Sequence, residues 1–358
     1  MIEQNYNVLG IMSGTSLDGV DLVRIIFNIE DGKWSYSIAE TQTVAYTEEW
    51  VLKLKEAVNY NKQELHALDK EYTLLLGQII NTFIADNALN NLDAICSHGH
   101  TILHQPQNGF TLQIGNRKEL ASIVKNRVVC DFRVQDVKLG GQGAPLVPIG
   151  DRLLFSDYAY CLNLGGFSNI SFDDKGKRVA FDICPVNTVF NYYAGLLGYQ
   201  YDAGGKIAAS GVVYESLYEK LNSLEFYYKP YPKSLGFEYV KEIVLPTMQK
   251  FALPPQDMLR TFAEHVALQI ANTVGKFPPG KLLITGGGAY NTFLIDRIKN
   301  LLDRYNVIIP DDKTIQYKEA LIFALLGVLK LRGEVNVLSS VTGAKEDHSS
   351  GEVFEFFK

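Results

Sequence analysis

Hydrophobic positions alternate over short runs at the start of the chain and recur every three to four residues farther on, which predicts strands followed by amphipathic helices. Val8, Leu9 and Ile11 form one apolar run and Val20, Leu22, Val23, Ile25 and Ile26 a second, while Lys33 to Tyr46 alternates as a third strand. Between the first two lies a polar stretch with Ser13, Gly14, Thr15, Ser16, Asp18 and Gly19, so the unit reads as strand, turn, strand. Leu65, Leu68, Tyr72, Leu75, Leu76, Ile79, Ile80 and Phe83 step at helical spacing and predict one helix from about Lys62 to Asp86, packed on the sheet. Leu92 to Cys96, Phe110 to Ile114 and Val128 to Cys130 read as further short strands.

The opening theme returns at Ala159 to Leu164, Gly165-Gly166 and Phe167 to Phe172. Two strand, glycine turn, strand units imply two lobes of related architecture facing one cleft. The first lobe is expected over residues 1–135 with about 336–358, the second over 136–335. In the second, Val179 to Asp182 predicts a strand and Pro185 to Leu197 a helix, with Pro185 and Asp182 placed to cap its start. Met258, Phe262, Val266, Ile270 and Val274 mark the buried face of another helix. Lys281 to Thr285 runs as a strand into Gly286-Gly287-Gly288, followed by a helix from Asn291 to Leu302 and a final one from Ile315 to Leu331. The stretch from Leu221 to Leu245, rich in tyrosine, proline and charge, suggests no chemical role.

Composition narrows the function. A chain of 358 residues with 47% hydrophobic and 21% charged residues fits a two-lobed globular protein. A formal charge of −6 weighs against nucleic acid and leaves a small-molecule ligand the natural partner. Cys96, Cys130, Cys161 and Cys184 form no C-x-x-C pair and read as buried free thiols. No basic-then-apolar leader and no apolar run of roughly 18 residues is present, so a cytoplasmic location without membrane contact is expected.

The first glycine turn has the chemistry of a phosphate cradle: backbone N–H groups, hydroxyls, and Asp18 as a carboxylate able to hold the water shell of a metal ion. It lacks the G-x-x-x-x-G-K-[ST] pattern, and a plain hairpin with a polar turn is the other reading. Asp182, at a strand end, is either a helix cap or a catalytic base. His98, His100 and His104 have no acidic or cysteine partner at metal-ligand spacing, which weighs against a metal site and leaves them as polar lining. Arg133 is either an ordinary surface residue or, beside Gln142, Gly143 and the loop Gly140 to Pro145, a group that orients sugar or phosphate. Glu319 near the start of the last helix is at least a favourable first-turn charge. Three glycines at Gly286 to Gly288 leave room for a flat group against the backbone.

Taken together and in order, these strings resemble the superfamily that joins sugar kinases, acetate kinase, heat-shock ATPases and actin. More narrowly they resemble the anhydro-N-acetylmuramic acid kinase family. The resemblance is carried by MSGTSLDGVD at Met12 to Asp21, SHGHTILHQP at Ser97 to Pro106, QIGN at Gln113 to Asn116, and DFR at Asp131 to Arg133. GGQGAPLVP at Gly140 to Pro148, LNLGGFSNI at Leu162 to Ile170 and TGGGAYN at Thr285 to Asn291 complete it, so that it spans nearly the whole chain. It departs where the family commonly has Gln at His100, and where FDTGPGN is replaced by Phe181 to Asn187 with Cys184 and Val186 in place of two glycines. A β-branched residue does not hold a positive φ cheaply, which leaves the conformation of that loop an open point.

The resemblance implies an α/β, two-lobed, actin-like ATPase (ribonuclease H-like) fold with a central ATP and sugar cleft. It implies ATP binding by Gly10, Ser13, Gly14, Thr15, Ser16, Leu17, Asp18, Gly19, Val20 and Asp21 in the first loop. Gly165, Gly166 and Asn169 follow in the second loop, and Gly286, Gly287, Gly288 and Asn291 in the adenosine loop. Mg²⁺ would be held near Asp18, Asp182 would be the catalytic base, and Glu319 would join His98, His100, His104, Arg133, Gln142 and Gly143 around the sugar. The implied reaction is phosphorylation of 1,6-anhydro-N-acetylmuramic acid with water added across the anhydro bond, by a homodimer, in peptidoglycan recycling. A kinase for another sugar and a non-catalytic ATP-driven switch are the alternatives.

Overall fold

The computed structural model describes residues 4–14 and 16–356. It divides into two compact units, Met1–Leu154 with Tyr317–Lys358, and Phe155–Gln316. The strands are β1 (Asn5–Ser13), β2 (Gly19–Glu30), β3 (Lys33–Ala45), β4 (Ala94–Gln105), β5 (Phe110–Ile114) and β6 (Val128–Cys130). Then follow β7 (Tyr160–Leu164), β8 (Phe167–Asp174), β9 (Lys177–Pro185), β10 (Lys281–Thr285), β11 (Asn306–Ile308) and β12 (Glu352–Phe354).

In the first unit the sheet runs β12-β6-β4-β1-β2-β3, with β5 paired to β4. β1, β2 and β3 are antiparallel, and β4 and β6 continue parallel to β1. The helix Lys62–Asp86 begins at a capping box, Asn61 with Glu64, and buries Leu68, Tyr72, Leu76, Ile80 and Phe83 in this unit's core. Helix Asp312–Arg332 presses on β1, because a Cβ at Gly10 would run into the Ala320 carbonyl.

The second sheet runs β11-β10-β7-β8-β9, with β7, β8 and β9 antiparallel and β10 and β11 parallel to β7. Its order repeats β6-β4-β1-β2-β3 strand for strand. That repetition is the ribonuclease H-like arrangement of the actin-like ATPase fold. Helix Pro255–Val274 buries Met258, Phe262, Val266, Ile270 and Val274, the five positions that step by four.

Both expected boundaries shift. Residues 136–154 and the helix from Tyr317 onward belong to the first unit. The cause is hydrogen bonding that periodicity does not display. Fully buried Asp136 accepts from Gly143 N (2.6 Å) and Thr342 Oγ1 (2.7 Å), and Gln142 N donates to Thr342 O (2.8 Å), tying the glycine loop to the C-terminal segment.

Candidate active site

β1 ends at Ser13 and β2 begins at Gly19. In the turn, Leu17 N donates to Gly14 O (3.3 Å), and Leu17 takes a left-handed φ of 62°. Ser16 and Asp18 are exposed, whereas Thr15 lies outside the described residues. The remaining residues proposed for this loop divide. Gly10 is a packing glycine and Val20 a core residue. Ser13 is buried, its hydroxyl 2.6 Å from Tyr46 Oη and 2.8 Å from His100 Nδ1, so it faces the interior and not an anion. Gly19 pairs with Ala45 on β3. Asp21 Oδ1 accepts from Thr43 Oγ1 (2.6 Å); burial raises this carboxyl, the Thr43 bond opposes, and Asp18 adds to the rise.

Strand β4 continues well past Cys96, through the Ser-His-Gly-His run. Its register against β1 shifts between Ile11↔Ser97 and Ser13↔His100, a bulge that contains Gly99 at φ 73°. The bulge sends the two histidines to different partners. His98 packs on Phe323 with ring centroids 4.5 Å apart, and its Nε2 accepts from Arg133 Nε at 2.8 Å. That leaves Nδ1 as the donor to Gly99 O (3.0 Å). Burial, then the Arg133 charge, holds His98 well below the ordinary histidine range, so the ring is neutral. His100 joins Ser13, and burial lowers its pKa to about 4. His104 is exposed and bonds Thr111 Oγ1 through Nδ1 (3.1 Å).

Arg133 is the junction of this cluster. Besides His98 it donates from Nη1 to Gly143 O at 2.6 Å. Burial brings its pKa down to about 10, while the charges of Glu319 and Asp136 resist. Glu319 sits in the eighth position of its helix rather than in the first turn. Its carboxyl is accessible to solvent, yet the surrounding protein raises its pKa, Arg133 opposes the rise and Asp21 adds to it. Gln142 is exposed beside them. Arg133, His98, Gly143 and Glu319 therefore form one group, and His100 belongs to the pedestal of the first turn.

In the second unit the Gly165-Gly166 turn caps a helix with its carbonyls. Gly166 O accepts from Val186 N (2.8 Å) and Thr188 Oγ1 (2.9 Å), and Gly165 O from Asn187 N (3.2 Å). The helix runs Asn187–Leu196 and has no side-chain cap, so Asp182 does not cap it. Asp182 instead lies inside β9, opposite the exposed Asn169 of β8. Its Oδ2 accepts from Leu235 N at 2.8 Å, and its own N–H donates to Lys233 O at 3.0 Å. Burial raises the Asp182 carboxyl, and the Leu235 bond opposes. Cys184 is an ordinary strand residue, bonded through its backbone to Ser168 Oγ, and Val186 has φ −134°. Neither position requires a glycine's φ, which is why the two replacements are accommodated.

Gly286 has φ 83°, and a Cβ there would lie 2.8 Å from Leu164 O; one at Gly288 would lie 2.6 Å from Leu164 Cβ. Those two glycines let the loop pack on β7. At Gly287 the nearest atom, Asn187 Nδ2, is 3.6 Å away, and this residue lines a cavity of about 320 Å³ with Asn187, Tyr201, Gly204, Tyr290 and Asn291. Asn291 also caps helix Thr292–Leu301 by accepting from Leu294 N (3.0 Å). The sequence reading missed Asn187, Tyr201 and Gly204. The polar glycine loop Tyr201 to Lys206 was the available signal, and its proximity to Gly287 was not legible.

A repeated ribonuclease H-like unit with a glycine turn in each copy, and a cavity beside a third glycine loop, make up the fold of the class that joins sugar kinases and actin-like ATPases. Residues 6–356 match the family described as Anhydro-N-acetylmuramic acid kinase. The chain is 33% identical over 365 residues to the "Anhydro-N-acetylmuramic acid kinase" of Pseudomonas syringae pv. syringae (strain B728a), covering 97% of this chain and 98% of that one. It is 34% identical over 382 residues to that of Francisella tularensis subsp. novicida (strain U112), covering 99% of each. Similar solved structures include an activator of 2-hydroxyisocaproyl-CoA dehydratase from Clostridium difficile with bound ADPNP, at 11% identity and TM-score 0.46, covering 91% of this chain and 96% of that one. Another is a ROK family glucokinase from Streptomyces griseus with glucose and AMPPNP, at 13% identity and TM-score 0.41, covering 90% and 99%. The chain belongs to the anhydro-N-acetylmuramic acid kinase family and is an enzyme.

Proposed function

We propose that this enzyme phosphorylates 1,6-anhydro-N-acetylmuramic acid with ATP while opening the anhydro ring with water, giving N-acetylmuramic acid 6-phosphate in peptidoglycan recycling. Family membership supports the acceptor. The observation that carries the hydrolytic half is Asp182, a partly buried carboxylate held at Oδ2 by Leu235 N–H, with Oδ1 left without a partner among the described residues. Burial makes it a stronger base than an exposed aspartate.

Asp182 takes a proton from a water whose oxygen bonds to the anomeric carbon. The bond from that carbon to O6 breaks, and O6 keeps the electron pair. O6 then bonds to the γ-phosphorus as the bond to the β,γ-bridging oxygen breaks, and ADP leaves. In the first unit the turn with Gly14 and Ser16 to Asp18 is a phosphate-binding loop; in the second, the Gly165-Gly166 turn is another, and the cavity at Gly287 and Asn291 receives the adenosine. Arg133, pre-oriented by His98 and Gly143, holds the sugar with His104, Gln142 and Glu319. The exposed Asp18 carboxylate is a hard oxygen donor of the kind Mg²⁺ accepts through its water shell, and the ion would neutralise phosphate charge there.

A cytoplasmic homodimer completes the proposal. Exposed Leu196, Leu197 and Tyr199 offer apolar surface for a second copy, and no helix among the described residues is long and apolar enough to cross a membrane. The test of the reaction is turnover of the anhydro sugar in H₂¹⁸O. One ¹⁸O at the anomeric hydroxyl of a 6-phosphorylated product is expected. A phosphorylated product with the anhydro ring intact, or turnover of plain N-acetylmuramic acid alone, would contradict it.

A further inference from the structure

The stretch 229–236, between the turn Glu225–Tyr228 and the helix Phe237–Tyr239, has no regular secondary structure and runs along β9, the edge strand of the second sheet. Three contacts hold it there. The Tyr231 ring stacks on Phe181 with centroids 4.9 Å apart and planes 5° from parallel. Tyr231 Oη donates to Asp174 Oδ2 at 3.0 Å. Lys233 Nζ donates to Phe226 O at 3.2 Å and lies 4.5 Å from the Phe226 ring centroid. Phe226 is itself buried, so the strap is anchored in the core of the unit.

What the strap delivers to the strand is a pair of backbone groups, both spent on one residue: Lys233 O accepts from Asp182 N, and Leu235 N donates to Asp182 Oδ2. An edge strand can be covered by any loop, and covering alone needs no bond to a side chain. A donor aimed at one carboxylate oxygen fixes the rotamer and leaves the other oxygen to act. We propose that the strap 229–236 is the positioning element of the base, with Leu235 working through its backbone N–H. This rests on Asp182 being the base. Cys184 on the same strand feels the charges of both Asp182 and Lys233 of the strap, and β8 presents the uncharged Asn169 opposite Asp182.

The test removes the donor alone. Leu235→Pro deletes the N–H, and Leu235→Ala keeps it. The readouts are the ¹³C carboxyl titration of Asp182 and the pH dependence of kcat/KM. Losing a hydrogen bond to the ionised form raises the carboxyl pKa, by about one unit, so L235P should lose about tenfold in kcat/KM on the acid side while the KM for ATP stays within about twofold. L235A should restore the wild-type titration. An Asp182 titration in L235P identical to wild type, or the same shift in L235A, would overturn the proposal. Should L235P not fold, Tyr231→Ala loosens the strap with the N–H retained, and an upward shift of the Asp182 titration is expected; an unmoved titration overturns it. If Asp182→Asn turns over within a few-fold of wild type, the base reading fails and takes the catalytic half of this proposal with it. An unmoved titration beside an inactive Asp182→Asn would sink the strap alone.

Discussion

His100 Nδ1 lies 2.8 Å from the hydroxyl of Ser13, the last residue before the first glycine turn, and the same hydroxyl lies 2.6 Å from Tyr46 Oη, which in turn lies 2.6 Å from Tyr72 Oη. Four side chains, from β1, the residue after β3, β4 and the helix Lys62–Asp86, thus form one largely buried chain beneath the turn. Leaving buried polar groups without a partner costs about 1–3 kcal/mol. His100→Leu should lower the unfolding free energy by about that amount, and His100→Gln, whose amide can still meet the hydroxyl, by less. Urea midpoints measure both, and an H100L protein as stable as wild type would mean the chain carries no stability.

Acid should destabilise the second unit through His265. This ring is fully buried between Asn222 Oδ1 (2.6 Å) and Tyr227 Oη (2.9 Å), and burial lowers its pKa to about 3. The unfolded ring, with a pKa near 6.5, binds its proton first, so the stability held above about pH 6.5 is lost as pH falls from there toward 3. The loss is about 1.4 kcal/mol per pH unit for this group. Unfolding between pH 7 and pH 5 should accordingly be flatter in His265→Gln than in wild type. Equal slopes would contradict the neutral, buried ring.

Two adjacent glycines should separate packing from binding. Gly288→Ala places a Cβ 2.6 Å from that of Leu164 and should destabilise the fold by about 1–3 kcal/mol. Gly287→Ala meets nothing closer than 3.6 Å, so it should melt like wild type while raising the KM for ATP more than that for sugar. Thermal melts beside two-substrate kinetics decide it, and an effect of G287A on the sugar alone would remove this loop from the nucleotide site.

Asp18 is exposed and bonds no core residue among those described, so Asp18→Asn should leave the melt unchanged. It should raise the Mg²⁺ concentration needed for half-maximal turnover by at least tenfold. Activity independent of the substitution at limiting Mg²⁺ would place the ion elsewhere.

Much of the scaffold was legible. The helix Lys62–Asp86 and the strands Phe110–Ile114, Val128–Cys130 and Lys281–Thr285 fall where apolar periodicity put them, because local pattern and burial agree there. β4 was cut short at Cys96, since a polar run with a glycine bulge interrupts the alternation without ending the strand. The glycine strings Gly165-Gly166 and Gly286 to Gly288 fall at the strand ends where the pattern put them, although Gly10 and Gly288 owe their identity to neighbours far away in sequence. Least legible was the environment of Asp182. Its partner Leu235 is a backbone group in a stretch with no periodicity, and no residue type advertises a backbone donor.

The central claim is that Asp182 activates water, and the most direct measurement is kcat of Asp182→Asn on the anhydro sugar, with ATP and sugar binding followed by calorimetry. Asn keeps the size of the side chain and can still accept from Leu235 N–H, so the fold and both affinities should persist. General-base assistance contributes about 10²–10⁴-fold, and kcat should fall by that factor. An Asn variant that binds both ligands and turns over within a few-fold of wild type would show that Asp182 is structural and that the water is activated by another group.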